Sequence, residues 1–97
     1  MKLRPEEYDL IGRWIVSGGS ATRDAVEDRI DRLIASHLEE IAISREWGAW
    51  EVLYRDPIDG RYWELTYPHG EMQGGGPKRL TCINLKVAAT KYDLAQR

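Results

Sequence analysis

Four carboxylates lie close together in the middle of the sequence: Asp56, Asp59, Glu64 and Glu71. Paired carboxyl groups divide general acid and general base work when their environments push their proton affinities apart. Asp56 and Asp59, however, belong to "RDPIDGR", where an aspartate before proline and one before glycine are ordinary turn residues. Each also has Arg55 or Arg61 nearby as an ion partner. His37 and His69 are isolated, and no H-x-x-x-H or C-x-x-C spacing occurs, so no metal site is expected. A nucleophile would have to come from Ser17, Ser20, Ser36, Ser44 or Cys82. Cys82 stands in "LTCIN", the setting of a small buried residue and not of an activated thiolate. No catalytic residue and no cofactor is expected from these groups.

A second candidate is "GGGPKR", residues 74–79, which has the glycines and cations of an anion-binding loop. A Walker A loop needs G-x-x-x-x-G-K-[ST] leading into a helix, so that amides and helix dipole converge on the phosphate. Here the glycines lead into the strand-like "RLTCINLKV", and Pro77 removes one amide from the set. The glycines are expected to supply backbone angles closed to other residues.

The rings form a third group: four Trp and five Tyr, with no Phe. Trp and Tyr join a large apolar area to a polar handle, which suits cores, protein contacts and stacking platforms alike. As core, Trp14, Trp50 and either Trp47 or Trp63 are expected under a helix. As a platform, Tyr62 and Tyr67 could hold a small ligand or single-stranded nucleic acid, although Glu64 and Glu71 oppose a polyanion there. Core ranks first, protein contact second and nucleic acid third.

Three elements must position these groups. "LIGRWIV" (10–16) suits a strand that "SGGS" ends. In "TRDAVEDRIDRLIASHLEEIAI" the residues Val26, Ile30, Leu33, Ile34, Leu38 and Ile41 recur at helical spacing. Thr22 is expected to cap that helix, Asp24 to favour its positive end, and Arg23, Glu27, Asp28, Asp31 and Arg32 to face outward. "IAIS" (41–44) fits either a last turn or an extended start. "AWEVLYRDPIDGRYWELTYP" (49–68) reads as a β-hairpin, with Pro57 and Gly60 in its connection. Residues 79–87 read as another strand, and "AATKYDLAQR" as a weak helix or frayed end. The fold class is α+β: an antiparallel sheet of three to five strands with one amphipathic helix packed on one face.

Ninety-seven residues make one domain, 1–97. The formal charge of −2 divides into −3 for residues 1–48 (seven Lys/Arg, ten Asp/Glu) and +1 for residues 49–97 (seven and six). Neither half is basic enough to bind duplex nucleic acid, and no nucleic-acid partner is expected. A single cysteine forms no intrachain disulfide. "MKLRPEEYDLIGRWIV" lacks the apolar run of a targeting signal, and no segment has the length of a membrane span. A soluble cytoplasmic protein is expected, without a membrane partner.

"LIGRW" near the start and "WEVLYRDPIDGRYWELTYPHGEMQGGGPKRL" across the middle resemble the small bacterial immunity proteins of the immunity protein 27 family, encoded beside toxin genes in polymorphic toxin systems. "DRIDRLI" and "KY" (91–92) follow in the family's order. The family pattern favours a glycine–tryptophan pair before the first hairpin strand, and here Ala49 separates Gly48 from Trp50. The resemblance implies a non-enzymatic antitoxin that binds and neutralises a cognate toxin domain. Contacts are expected from the hairpin loop and glycine loop: Asp56, Asp59, Arg61, Glu64, Tyr67 and Glu71. Trp63, Leu65 and residues 74–77 are assigned to the fold. Two alternatives stay open: a binding module built on Tyr62 and Tyr67, and a small hydrolase using the carboxylates with His69.

Overall fold

The computed structural model describes residues 2–17, 20–70 and 76–94, with the side chains of 15–17 and 20–22 left aside. The strands are β1 (Asp9–Ile11), β2 (Trp14–Ser17), β3 (Ser20–Arg23), β4 (Glu39–Ser44), β5 (Gly48–Arg55), β6 (Tyr62–Thr66) and β7 (Arg79–Ile83). Helix α1 (Ala25–Ser36) lies between β3 and β4, and α2 (Leu85–Lys91) follows β7. Five strands form one antiparallel sheet in the order β1-β7-β6-β5-β4, while β2 and β3 pair as a separate hairpin. The protein is α+β, as the sequence predicts, with a helix on each face of the sheet instead of on one.

Alternation along the central strands divides the core between those faces. Val52, Tyr54, Trp63, Leu65 and Leu80 pack with Ile30 and Leu33 of α1. Leu53 points the other way and packs with Ala88 and Tyr92 of the α2 segment. Trp63, Leu53, Leu80, Ile30 and Leu33 are fully buried. Of the rings expected under the helix, Trp63, the alternative to Trp47, takes the core position; Trp50 is corrected, since it and Trp47 are 53% and 58% exposed.

The boundaries differ from expectation in four places. The strand expected at 10–16 breaks at Gly12, whose amide donates to the Lys78 carbonyl at 2.8 Å, and the chain leaves the sheet there. Thr22 lies in β3 opposite Ile15, and the helix cap is Asp24, whose carboxylate accepts from the Glu27 amide at 2.8 Å. Helix α1 stops at Ser36, although neither Gly nor Pro stands there. The amides of His37 and Leu38 both donate to the Leu33 carbonyl, which turns the chain back into β4. Leu38 stays in the α1 core, while Ile41 and Ala42, beside a bulge after Glu40, pack against the α2 cluster. Two buried destinations on opposite faces outweigh helical periodicity over this stretch. Finally, the strand expected over 79–87 ends at Ile83, and Leu85–Lys91 fold as α2, capped by Asn84, whose side chain accepts from the Val87 amide at 2.8 Å.

Candidate functional site

The cations after the glycines are taken up within the fold. Gly76 adopts φ 72°, the left-handed region, Pro77 after it is buried, and Lys78 reaches α1. The Lys78 amide donates to Glu27 Oε2 at 2.9 Å, and its ammonium lies 3.2 Å from Glu27 Oε1 and 3.3 Å from Asp31. Arg79 donates twice to Asp9, at 2.9 and 2.8 Å. A phosphate would have to displace carboxylates from both cations. Glu27, expected on the outer face of the helix, is instead 1% exposed. The sequence carried a signal for this: Glu27 precedes Ile30 by three and Ile34 by seven, on the apolar stripe itself.

The β5–β6 loop, residues 56–61, holds three of the expected contact residues. Asp56 is 1% exposed, and its carboxylate accepts from the Ile58 amide at 2.8 Å and lies 3.1 Å from His37 Nε2. Asp56 therefore builds the loop and ties it to the end of α1. Gly60, at φ 79°, closes the turn. The guanidinium of Arg61 donates to Asp59, to the Glu7 carbonyl and to the Arg4 carbonyl, and covers the Trp63 ring at 5.0 Å. Arg61 thus fastens the N-terminal segment to the hairpin. Asp59 is exposed.

Glu64 is also buried, at 8% exposure. It faces the α2 side, where it accepts from the Tyr92 hydroxyl at 2.8 Å and pairs with Lys91 at 2.6 Å. Lys91 pairs at the same time with Glu51 Oε2 at 2.9 Å. Burial, joined by the facing Glu64 carboxylate, pushes the Tyr92 hydroxyl far above its ordinary range. Burial corrects the expectation that Asp56 and Glu64 face a partner: a carboxylate is this inaccessible only where internal donors replace water. Among the described carboxylates that could have served a hydrolase, Asp56 and Asp59 hold turn positions and Glu64 lies against Tyr92, so these three do not face one another. Tyr62 and Tyr67 do not form one platform either, because they stand at opposite ends of β6.

Tyr67 lies at the far end of the hairpin from Asp59, and there the rings gather. The β4–β5 connection is a three-residue loop in which Ser44 Oγ accepts from the Glu46 and Trp47 amides at 3.2 and 3.0 Å. Gly48, at φ 58°, pairs with Ser44 and starts the next strand. This geometry sets Trp47 and Trp50 beside Tyr67, with Trp50 and Tyr67 edge to face at 5.2 Å between centroids. Trp47, Trp50, Glu51, Tyr67, Pro68 and Gly70 line an open cleft of about 530 Å³. The sequence reading counts Trp50, and Trp47 as an alternative to Trp63, among the core candidates and expects no contact residue at 44–50. The signal in the sequence was two tryptophans flanking Gly48 and Ala49 in "WGAW". Glu71, the sixth expected contact, and Gly74 and Gly75 lie outside the described residues.

Among the described residues, no helix is long and apolar enough to cross a membrane. Residues 16–84 match a family model described as Immunity protein 27, a span of more than half the chain that runs from β2 to the cap of α2. No curated protein and no solved structure matches the chain.

Proposed function

We propose that this chain, which belongs to the immunity protein 27 family, binds a cognate toxin domain directly and blocks it by occupying its surface, without chemistry of its own. Membership implies an immunity function. The supporting observation for contact through one end of the sheet is the pair Trp47 and Trp50, 58% and 53% exposed beside the apolar cleft at Tyr67. Fixed, half-exposed tryptophans are the residue type that most often dominates protein–protein binding energy, because each buries a large area with little side-chain entropy to lose. A standard interface needs about 800 Å² from each partner. Asp59 marks the opposite end of the hairpin.

The test is survival of a bacterial host that co-expresses the toxin domain encoded beside this chain. The parent chain is expected to protect. Trp50→Ala is expected to weaken toxin binding at least about thirtyfold, equivalent to about 2 kcal/mol, while its unfolding midpoint stays near that of the parent. Asp59→Lys probes the other end of the hairpin and is expected to leave protection intact. Full protection by Trp47→Ala and Trp50→Ala with loss in Asp59→Lys would move the contact to the β5–β6 loop. Protection by none of the chains, parent included, would sink direct neutralisation.

A further inference from the structure

Helix α1 is too narrow for the face of the sheet on which it lies. Five strands about 4.8 Å apart present a face about 20 Å wide, of which one helix covers about 10 Å. Helix α1 runs closest to β1, at one edge, and along that flank Arg29 holds the N-terminal segment. One row across the sheet shows where the cover ends. Leu10, Leu80, Leu65 and Val52 stand side by side, none more than 8% exposed, whereas Ile43, next in the row on the other edge strand, β4, is 51% exposed. Trp50 lies two residues from Val52 on the same face, edge to face with Tyr67, and is exposed as well. With Trp47 beside them, these residues make an apolar corner without a helix over it. The flank of α1 opposite Arg29 presents Ala35, exposed and four residues after Asp31. A side chain this small lets a second helix approach closely.

Resting on the reading that this end of the sheet is the docking surface, we propose that the corner receives an amphipathic helix of the toxin, laid beside α1, with a basic residue flanking its apolar stripe. Apolar side chains three, four and seven residues apart on such a helix would meet Ile43, Trp50 and Tyr67 together. A strand added to the edge fits less well. The ladder of β4 is irregular between Glu40 and Ala42 and again between Ile43 and Ser44, and such breaks keep other strands from pairing. The charge follows from Glu40. It stands opposite Tyr54, hence on the α1 face, exposed and without an ion pair among the described residues. The cations around the corner do not answer it: Arg45 turns to the Thr90 carbonyl at 3.2 Å, and Lys78, over the Tyr67 ring at 5.9 Å, is held by Glu27 and Asp31.

The experiment uses the intact chain and the toxin domain encoded beside it. The photo-crosslinking residue p-benzoylphenylalanine is placed at Ala35 and, in a second chain, at Ile43, and the toxin residues it captures are read by mass spectrometry. Both positions are expected to capture one toxin segment, at residues spaced by threes and fours. Amide exchange tests the rival geometry: a helix on the face leaves β4 exchanging much as in the free chain, whereas an added strand protects residues 39–44. Ile43→Asp is expected to weaken binding at least about tenfold, and Glu40→Lys about fivefold with a smaller effect at high salt. Both side chains are exposed, so the unfolding midpoints are expected to stay near that of the parent. In a complex that forms, captured residues at alternating spacing, new protection of 39–44, or binding unchanged in Ile43→Asp overturns the helix and leaves direct neutralisation standing. A toxin domain that binds neither the parent nor any variant overturns both.

Discussion

Glu27 shows how one side chain can join three segments distant in sequence. It lies in the first turn of α1, under the positive end of the helix dipole, and accepts from both the amide and the ammonium of Lys78. Gly12 completes the arrangement by lacking a side chain: a Cβ there would stand 1.9 Å from Glu27 Oε2 and 2.9 Å from the Lys78 carbonyl oxygen. Glu27→Ala leaves the Lys78 amide without its acceptor and the ammonium with Asp31 alone, and is expected to cost about 3 kcal/mol in urea unfolding. Glu27→Gln restores an acceptor without the charge and is expected to cost less. Gly12→Ala is expected to destabilise by a similar amount, since backbone as well as side chain must move. The two changes share one atom, so the double variant Gly12→Ala/Glu27→Ala should cost clearly less than the sum of the single changes. Strict additivity would mean that Gly12 is required for some other contact. Periodicity places Glu27 on the apolar stripe of α1, but the partner that makes its burial tolerable, Lys78, is 51 residues away, which no local pattern contains.

At the scale of elements, what was legible in the sequence was what local chemistry decides. The β5–β6 hairpin follows from Pro57, Gly60 and alternation, and it forms where expected, with Tyr54 opposite Trp63. The start of α1 is displaced only by a choice of cap, Asp24 instead of Thr22. Its end, and the exposure of Trp50, depend on how far the helix reaches along the sheet. A twelve-residue helix spans about 18 Å, and Val52 and Tyr54 lie under it while Trp50 does not. Helix α2 was least legible because seven residues are too few to be helical alone. It is held by burial of Ala88 and Tyr92 and by the Tyr92 hydroxyl on Glu64. Tyr92→Phe keeps the ring and removes the only hydroxyl donor to Glu64 among the described contacts. It is expected to cost about 1–2 kcal/mol, with backbone amide exchange in 85–92 accelerated before that of β5 and β6. Equal protection of α2 in Tyr92→Phe and the parent would show that ring packing alone holds the element.

For the molecule as a whole, the N-terminal segment is fastened by charge as well as by burial of Leu3 and Leu10. Strand β1 contributes only three residues at the sheet edge, and ion pairs hold the chain on either side of it. Arg29 donates to the Lys2 carbonyl and to both Glu7 oxygens, and Arg79 grips Asp9. The hydrogen bond from Arg29 is the largest influence on Glu7; burial opposes it, the Arg4 amide reinforces it, and the carboxyl falls from 4.5 to about 2. Asp9 is lowered too, chiefly by Arg79 with help from Thr81 and against burial. Both groups bind protons more weakly in the folded chain than in the unfolded one. Their contribution is therefore complete above the unfolded values and is lost as pH falls through the folded ones. For Glu7 the window runs from about 4.5 down to about 2. The urea midpoint of the parent is expected to drop across that window more steeply than that of Glu7→Gln, which starts lower at neutral pH and converges with the parent in acid. Release of residues 2–11 should precede global unfolding, seen as early loss of amide protection at Cys82, whose N–H donates to the Tyr8 carbonyl at 2.8 Å. Parallel curves for the two chains would mean that Arg29 holds Glu7 no better in the folded state than water does.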